Sequence, residues 1–144
     1  MKPNFCIVQA NYYPDISAML FKGVTNELKI RSATPFIVPG IFEIPVVIAK
    51  NINSYDAFIA LGCVIKGETP HFEIISKATI KIILDLSVKF KKPIGNGIIT
   101  CLNKKQALDR ADPTKRNKGG EAARAVLSVL GISKDETKWS SSKS

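Results

Sequence analysis

The sequence contains little of what a metal site or a disulfide framework requires. It has a single histidine, His71, and three cysteines, Cys6, Cys63 and Cys101, with no C-x-x-C pair. A zinc site takes about four ligands of these types, so we expect no metal. An odd number of cysteines disfavours the disulfide framework of a small secreted domain. Each cysteine lies in a strand-like apolar segment, which predicts three reduced and mostly buried thiols.

Long apolar runs and targeting segments are also missing. No run of about 18 apolar residues is present to form a transmembrane helix. The start of the chain lacks the apolar stretch and cleavage site of a signal peptide. The signatures G-x-x-x-x-G-K-[ST], G-x-G-x-x-G and G-x-S-x-G do not occur. These absences predict a cytoplasmic protein without a membrane span, a P-loop, a Rossmann fingerprint or an esterase nucleophile.

What the chain does have is an apolar share of 45% and a net charge of +9. Its 144 residues predict one globular domain, which we place at 1–136, followed by a polar tail over 137–144. A basic chain attracts anions such as nucleic acid, acidic lipid or phosphorylated metabolites. The basic residues are scattered and not interleaved with aromatic ones, so a nucleic-acid-binding domain is the weaker alternative. Its sign would be an affinity for DNA or RNA that falls steeply with salt.

Strand-like and helix-like segments alternate along the chain. Continuous apolar runs predict buried strands over 5–8, 34–38, 57–65 and 93–100. Helical spacing of apolar residues predicts helices over 16–30, 41–51, 70–90, 103–110 and 117–130. This alternation is typical of an α/β sandwich with a parallel sheet and right-handed crossovers. Such sheets bind ligands at the carboxyl ends of their strands, where we expect the functional residues.

Individual residues predict where helices begin and which side chains are buried. Pro14 and Asp15 fit the start of the first helix, and Thr69 with Pro70 predicts the N-cap and first residue of the third. The core-facing side chains of that third helix are expected to be Phe72, Ile75, Thr79, Ile82, Ile83, Leu86 and Phe90. In the last helix we expect the core-facing side chains to be Ala122, Val126, Val129 and Leu130.

The richest segment is G-C-V-I-K-G-E-T-P-H at 62–71, where a buried strand turns into a helix. Free backbone N–H groups and the helix dipole make such a turn an anion site suited to phosphate. Gly67 lets the backbone approach a ligand closely, and His71 is placed to move protons. The alternative is a capped helix start with a surface histidine. The residues alone support both interpretations about equally.

Two further segments carry candidate residues. In P-G-I-F-E-I-P at 39–45, Phe42 could stack on a planar ring and Glu43 lies in the first turn of a helix. The residues alone favour a core phenylalanine and a carboxylate that complements the helix dipole. Arg110 and Lys118 flank a break between two helices, and both residue types bind phosphate. For either residue alone, a solvated basic loop is the more ordinary interpretation.

Three stretches in combination resemble the lumazine synthase family. They are P-G-I-F-E-I-P at 39–45, A-L-G-C-V-I-K-G-E-T-P-H at 60–71 and N-K-G at 117–119, in the family's order and spacing. The similarity extends from Ile7 to about Leu130. It implies a flavodoxin-like three-layer α/β/α sandwich with a four-stranded parallel sheet. It also implies a homopentamer with active sites between neighbouring subunits, and a reaction that needs no metal or cofactor.

The resemblance implies a condensation of 5-amino-6-(D-ribitylamino)uracil with 3,4-dihydroxy-2-butanone 4-phosphate through an imine, with loss of phosphate and water. His71 would transfer protons. From the adjacent subunit, Arg110 would hold the phosphate and Lys118 would contact an oxygen of the heterocycle. The implied substrate-binding residues are Tyr12, Gly40, Ile41, Phe42, Glu43, Cys63, Val64, Ile65, Gly67, Glu68, Thr69 and Asn96.

The resemblance also divides this set by role. Tyr12 would stack on the pyrimidine ring, and residues 41–43 would line the ribityl pocket, with Glu43 accepting hydroxyl hydrogen bonds. The backbone of residues 63–65 would read the pyrimidine edge. Residues 67–69 would form the phosphate loop. Asn96 would approach the heterocycle from the adjacent subunit.

The sequence departs from the family pattern in places. Asn96 stands where many members carry phenylalanine, and Tyr13-Pro14-Asp15 changes the usual lip of the pocket. D-P-T-K-R at 112–116 replaces a glycine-containing turn of many icosahedral members, and the chain starts close to the first strand. The last two features predict a pentamer or a decamer instead of a capsid. The competing interpretation is a lumazine- or riboflavin-binding protein without catalysis, which would not need His71, Arg110 and Lys118 together.

Overall fold

The computed structural model describes residues 2–29 and 31–132. Its strands are β1 (Phe5–Ala10), β2 (Ala33–Val38), β3 (Ala57–Ile65) and β4 (Ile94–Cys101). Its helices are α1 (Pro14–Leu28), α2 (Ile44–Lys50), α3 (Phe72–Phe90), α4 (Lys104–Ala111) and α5 (Lys118–Leu130), with a 3-10 turn over Ile41–Glu43 before α2. Within the described ranges, no helix is both long and apolar enough to span a membrane. The polar tail expected over 137–144 lies outside these ranges.

The four strands form one parallel sheet in the order β2-β1-β3-β4. Every residue of β1 and β3 is buried, because both strands are central in a sheet that helices cover on both faces. Pro35 lies in β2, an edge strand, where its missing N–H costs no ladder hydrogen bond. The predicted parallel four-stranded sheet is confirmed.

Successive residues of the central strands point into opposite layers. Ile7 and Ile59 belong to one apolar core, which α1, α4 and α5 cover, whereas Val8 and Phe58 belong to a second core under α2 and α3. The apolar side chains that α1 buries fully or almost fully recur every fourth residue, at Ile16, Leu20, Val24 and Leu28. This arrangement is a flavodoxin-like three-layer α/β/α sandwich, as predicted.

Helix α5 packs closely against α1 at Gly119. A Cβ atom on Gly119 would collide with the carbonyl oxygen of Leu20, so only glycine allows this approach. Asn117 caps α5, accepting a hydrogen bond of 3.1 Å from the backbone N–H of Gly120. The start of α5, and with it the side chain of Lys118, is thereby held at a defined position.

The predicted start of α3 at Thr69 and Pro70 is wrong. Lys66 and Thr69 pair as a β-bridge, and Glu68 donates its backbone N–H to the carbonyl of Ile65 at 3.2 Å. The chain therefore makes a tight turn after β3 before the helix can begin. Helix α3 starts at Phe72, and His71 is its N-cap residue in the left-handed conformation, with φ 58°.

Some side chains expected in the core are exposed. Thr79 and Ile83 are buried as predicted, but Ile82 is 47% exposed, Phe90 36% and Val129 68%. The reason for Ile82 and Phe90 is that α3 carries apolar residues on two faces, and the described part of the chain covers only one of them. Val129 lies outside the row of buried residues of α5. The exposed apolar side chains of α3 are Ile74, Ile82, Leu84, Val88 and Phe90. Such a surface is typical of a contact with another protein chain.

Candidate active site

A cavity of about 290 Å³ opens at the carboxyl ends of β1, β2 and β3. We call it the apolar cavity. Its walls are Tyr12, Pro39, Gly40, Ile41, Phe42, Glu43, Cys63, Val64, Thr69 and Ile75. Eight of these residues belong to the predicted substrate-binding set. The position agrees with the rule that parallel sheets bind ligands where their strands end.

The 3-10 turn after β2 shapes one wall of this cavity. Ile41 is buried and anchors the turn, whereas the Phe42 ring is 73% exposed. The interpretation of Phe42 as a core residue is therefore wrong, because the tight turn directs neighbouring side chains to opposite sides. Glu43 Oε1 accepts the backbone N–H of Gly40 at 2.9 Å, which holds the carboxylate beside the cavity.

The loop after β3 contributes backbone and one hydroxyl group. Gly67 has φ 84° and nothing within 4 Å of its missing Cβ, so its backbone is open to a ligand. The Oγ1 of Thr69 is buried and has no hydrogen-bond partner in the described part of the chain. Buried polar atoms are nearly always paired, so this atom is suited to receive a ligand. Glu68 and His71 are exposed in this loop and do not line the apolar cavity.

Ile65 is the one predicted residue of β3 whose side chain faces away from the cavity. It is fully buried in the core under α1, α4 and α5. Cys63 belongs to that same core and also lines the apolar cavity. Any role of Ile65 in binding is therefore limited to its backbone.

A second cleft of about 320 Å³ lies beside β4, between α4 and α5. We call it the polar cleft. Its walls are Asn96, Ile98, Ile99, Thr100, Arg110, Arg116, Lys118 and Glu121. It brings together Asn96, Arg110 and Lys118, the three residues that the resemblance assigns to an adjacent subunit. Within the described ranges, the polar cleft and the apolar cavity share no lining residue.

Three cations and one carboxylate surround the polar cleft. Arg110 Nη1 donates to the carbonyl oxygen of Thr100 at 2.8 Å. Lys118 Nζ lies 3.1 Å from Glu121 Oε1. Sequence reasoning missed Glu121, although its i, i+3 spacing from Lys118 indicates an ion pair. Nothing in the sequence distinguishes Arg116 from the basic residues around it. The charge balance suits a phosphate dianion.

All three cysteines are buried and free, as predicted. The Cys63 and Cys101 side chains hydrogen-bond to each other, and Arg110 Nη1 lies 3.8 Å from Cys101 Sγ. The hydrogen bond from Cys63 and the Arg110 guanidinium lower the pKa of Cys101 to about 7, whereas that hydrogen bond and burial raise the pKa of Cys63. Burial raises the pKa of Cys6 to about 12. Across residues 2–29 and 31–132, no three His, Cys, Asp or Glu side chains group as metal ligands.

The fold and the site define a flavodoxin-like α/β protein that presents an apolar cavity and a separate cationic cleft. The family model for 6,7-dimethyl-8-ribityllumazine synthase matches residues 2–134. The chain is 50% identical over 135 residues to 6,7-dimethyl-8-ribityllumazine synthase 1 of Rhodopseudomonas palustris, covering 88% of this chain and 83% of that protein. It is 44% identical over 138 residues to the synthase of Bartonella tribocorum, covering 92% and 91% of the two chains. For the synthase of Agrobacterium fabrum the identity is 41% over 142 residues, covering 92% and 96%.

The chain belongs to the 6,7-dimethyl-8-ribityllumazine synthase family, a family of transferase enzymes of riboflavin biosynthesis. The resemblance found in three short stretches is thus confirmed over most of the chain.

Proposed function

We propose that the chain condenses 5-amino-6-(D-ribitylamino)uracil with 3,4-dihydroxy-2-butanone 4-phosphate to form 6,7-dimethyl-8-ribityllumazine. The observation that carries this proposal is the grouping of most of the predicted residues into one apolar cavity and one cationic cleft. The first suits a planar heterocycle with a polar chain, and the second suits a phosphate. The product is the compound for which the family is named.

The apolar cavity binds the pyrimidine in this proposal. Tyr12 is 56% exposed beside the cavity, so one face of its ring is free to stack on the heterocycle. The ribityl chain lies along Phe42 toward Glu43, whose carboxylate keeps lone pairs for its hydroxyl groups after bonding to Gly40. Backbone groups of Cys63 and Val64 pair with the polar edge of the ring.

The phosphate of the second substrate lies at the loop after β3. Within the Gly67–Thr69 loop, the open backbone of Gly67 and the Oγ1 hydroxyl of Thr69 supply its donors on one side. Arg110 and Lys118, supplied by a neighbouring subunit, neutralise its charge from the other side.

The reaction then proceeds in three steps. The 5-amino group attacks the ketone, and the tetrahedral adduct loses water to give an imine. His71 takes a proton from the carbon next to the imine, and the C–O bond electrons leave with the phosphate, giving an enol that tautomerises to a ketone. The ribitylamino nitrogen attacks this carbonyl, and loss of a second water closes the ring. Alignment of two substrates that already react with each other supplies much of the rate.

A second copy of the chain completes each site. Among the described residues, the walls of the apolar cavity contain no arginine or lysine, and those of the polar cleft contain no aromatic side chain. The exposed apolar side chains of α3 supply a surface for contact between copies. We propose a homopentamer, or a decamer made of two pentamers, and light scattering that shows a capsid-sized particle would contradict it. The three free thiols fit the reducing cytoplasm.

The first test is the fluorescence of lumazine formed from the two substrates, measured against the uncatalysed reaction. Product well above this background establishes the activity. No acceleration by folded, oligomeric protein would leave a binding protein without catalysis.

A mixing experiment tests the shared site. His71→Ala and Arg110→Ala are each expected to be inactive. When the two variants are unfolded together and refolded into mixed oligomers, some interfaces pair an intact His71 with an intact Arg110 of the neighbour. Activity should return in the mixture and in neither variant alone. No recovery in confirmed mixed oligomers would place both residues of a site on the same chain.

A further inference from the structure

Tyr13 directly precedes α1, and its ring lies near Lys104 at the start of α4. Lys104 Nζ lies 5.9 Å from the centroid of the Tyr13 ring and forms an ion pair of 3.2 Å with Asp15. On another side, the Tyr12 and Tyr13 rings meet edge to face, with centroids 4.9 Å apart and an interplanar angle of 81°. Tyr13 therefore supports the exposed ring that borders the apolar cavity.

The hydroxyl group of Tyr13 points toward the loop after β3. It donates to Glu68 Oε1 at 3.4 Å. Burial raises the pKa of the Tyr13 hydroxyl, and the Glu68 carboxylate adds to this while the nearby Thr69 side chain opposes it. The net shift is upward, so the hydroxyl remains a donor over the physiological range. Lys66, Gly67 and Glu68 are exposed in this loop, so this hydrogen bond reaches the part of the loop that faces solvent. Tyr13 thus contacts both Tyr12, which lines the apolar cavity, and Glu68 in the loop after β3.

We propose that Tyr13 is a positioning residue with two separable effects. Its ring orients Tyr12 for stacking on the pyrimidine, and its hydroxyl holds the phosphate loop through Glu68. The proposal rests on the proposed function, because it assigns the two contacts to the two substrates. It adds a residue outside the set that lines either cleft.

Two variants separate these effects. Tyr13→Phe keeps the ring, so the KM for the sugar phosphate should rise roughly threefold to tenfold while the KM for the pyrimidine changes less than about twofold. Tyr13→Leu removes ring and hydroxyl, so both KM values should rise. Tyr55→Phe is the matched control, because its ring packs against Phe36 and Phe58 in the other core. It should change neither KM.

A double variant tests the route through the loop. If Tyr13 acts on phosphate through Glu68, adding Tyr13→Phe to Glu68→Ala should raise the KM for the sugar phosphate no further. A purely structural role of Tyr13 would instead shift both substrates together in Tyr13→Phe. Equal changes in both KM values, or no change in either, would overturn the proposal.

Calorimetric titration separates this proposal from the proposed function. Inorganic phosphate and the pyrimidine substrate are titrated separately into wild type and Tyr13→Phe, without turnover. Selective weakening of phosphate binding in Tyr13→Phe supports the positioning role, whether or not wild type condenses the substrates. If wild type shows no condensation, that result contradicts the proposed function but not the positioning role. A wild type that condenses the substrates while Tyr13→Phe binds phosphate equally well would sink the positioning role alone. A wild type that binds neither ligand would overturn both.

Discussion

Arg110 and Thr100 are joined by a hydrogen bond of 2.8 Å from the arginine Nη1 to the carbonyl oxygen near the end of β4. The same nitrogen lies 3.8 Å from the sulfur of Cys101. A guanidinium group has five N–H donors, so these contacts orient its plane and leave donors for a ligand. The polar cleft therefore presents an arginine whose direction is set before phosphate arrives.

Arg110→Lys tests whether orientation matters in addition to charge. Lysine keeps the charge but cannot form two parallel hydrogen bonds, so kcat/KM should fall roughly 10- to 100-fold, mostly through the KM for the sugar phosphate. Steady-state kinetics measure the change, and thermal unfolding should stay near that of wild type. Arg116→Lys is the matched control in the same cleft. An equal loss in both variants would mean that the cleft requires positive charge only.

The thiol pair predicts one ionisation near neutral pH. The Cys63 hydrogen bond and Arg110 lower the pKa of Cys101 to about 7, and the pKa values of Cys63 and Cys6 are raised. Ultraviolet thiolate absorbance of the native protein should therefore show about one thiolate that appears around pH 7. Cys101→Ser should remove this transition, and Arg110→Ala should move it to higher pH. A transition that survives in Cys101→Ser would contradict the assignment.

The lowered pKa of Cys101 also makes the free energy of unfolding depend on pH. The native Cys101 thiol loses its proton at lower pH than the unfolded chain does, so its contribution to stability is fully present above the ordinary thiol pKa. That contribution is lost as the pH falls through about 7. Urea unfolding of wild type and Cys101→Ser at several pH values measures it as a difference that grows with pH.

Gly119→Ala tests the close approach of α5 to α1. Alanine usually favours a helix over glycine by about 1 kcal/mol. Here the new methyl group would collide with the Leu20 carbonyl oxygen, and forcing the helices apart should destabilise the protein by about 1–3 kcal/mol. Ser128→Ala, at an exposed position of the same helix, is the control and should be nearly neutral. A Gly119→Ala protein as stable as the control would show that the contact is easily relieved.

The ion pair between Arg124 and Glu27 also joins α5 to α1, at 3.0 Å. Glu27 is 8% exposed and its Oε1 already has no partner in the described residues, so Arg124→Ala leaves a buried carboxylate poorly satisfied. We expect a loss of about 1–2 kcal/mol in urea unfolding, less than for a fully buried pair because the arginine is partly exposed. Lys81→Ala breaks an exposed pair with Asp85 and should cost under about 0.5 kcal/mol. Equal losses would show that burial of Glu27 is unimportant.

Much of the fold was predictable because its determinants are local. The buried runs that became β1 and β3, and the caps Asn103 and Asn117, depend on residues only a few positions apart. The start of α3 was predicted wrongly because Thr69 pairs with Lys66 and does not cap a helix. Thr69 and Pro70 remain a good start signal that a competing turn overrides.

The segments that form the candidate site were predictable from the sequence, but which of their side chains face a cleft was not. The turn after β2 and the loop after β3 follow the strands of a parallel sheet, so a site at their carboxyl ends was expected. That Phe42 points outward while Ile41 points inward depends on the 3-10 geometry of one turn. The support that Tyr13 gives to Tyr12 and Glu68 depends on contacts between elements far apart in the sequence.

The sequence by itself determined the order of strands and helices, the parallel sheet and the family of this protein, since apolar periodicity, caps and motif spacing are carried by neighbouring residues. Only the tertiary structure decided that most of the predicted site residues divide between two clefts, which share none of the described residues. It also decided that Ile82 and Val129 lie on the surface. The physical reason is that burial depends on what packs against a face, and a helix with two apolar faces does not specify which one the same chain covers.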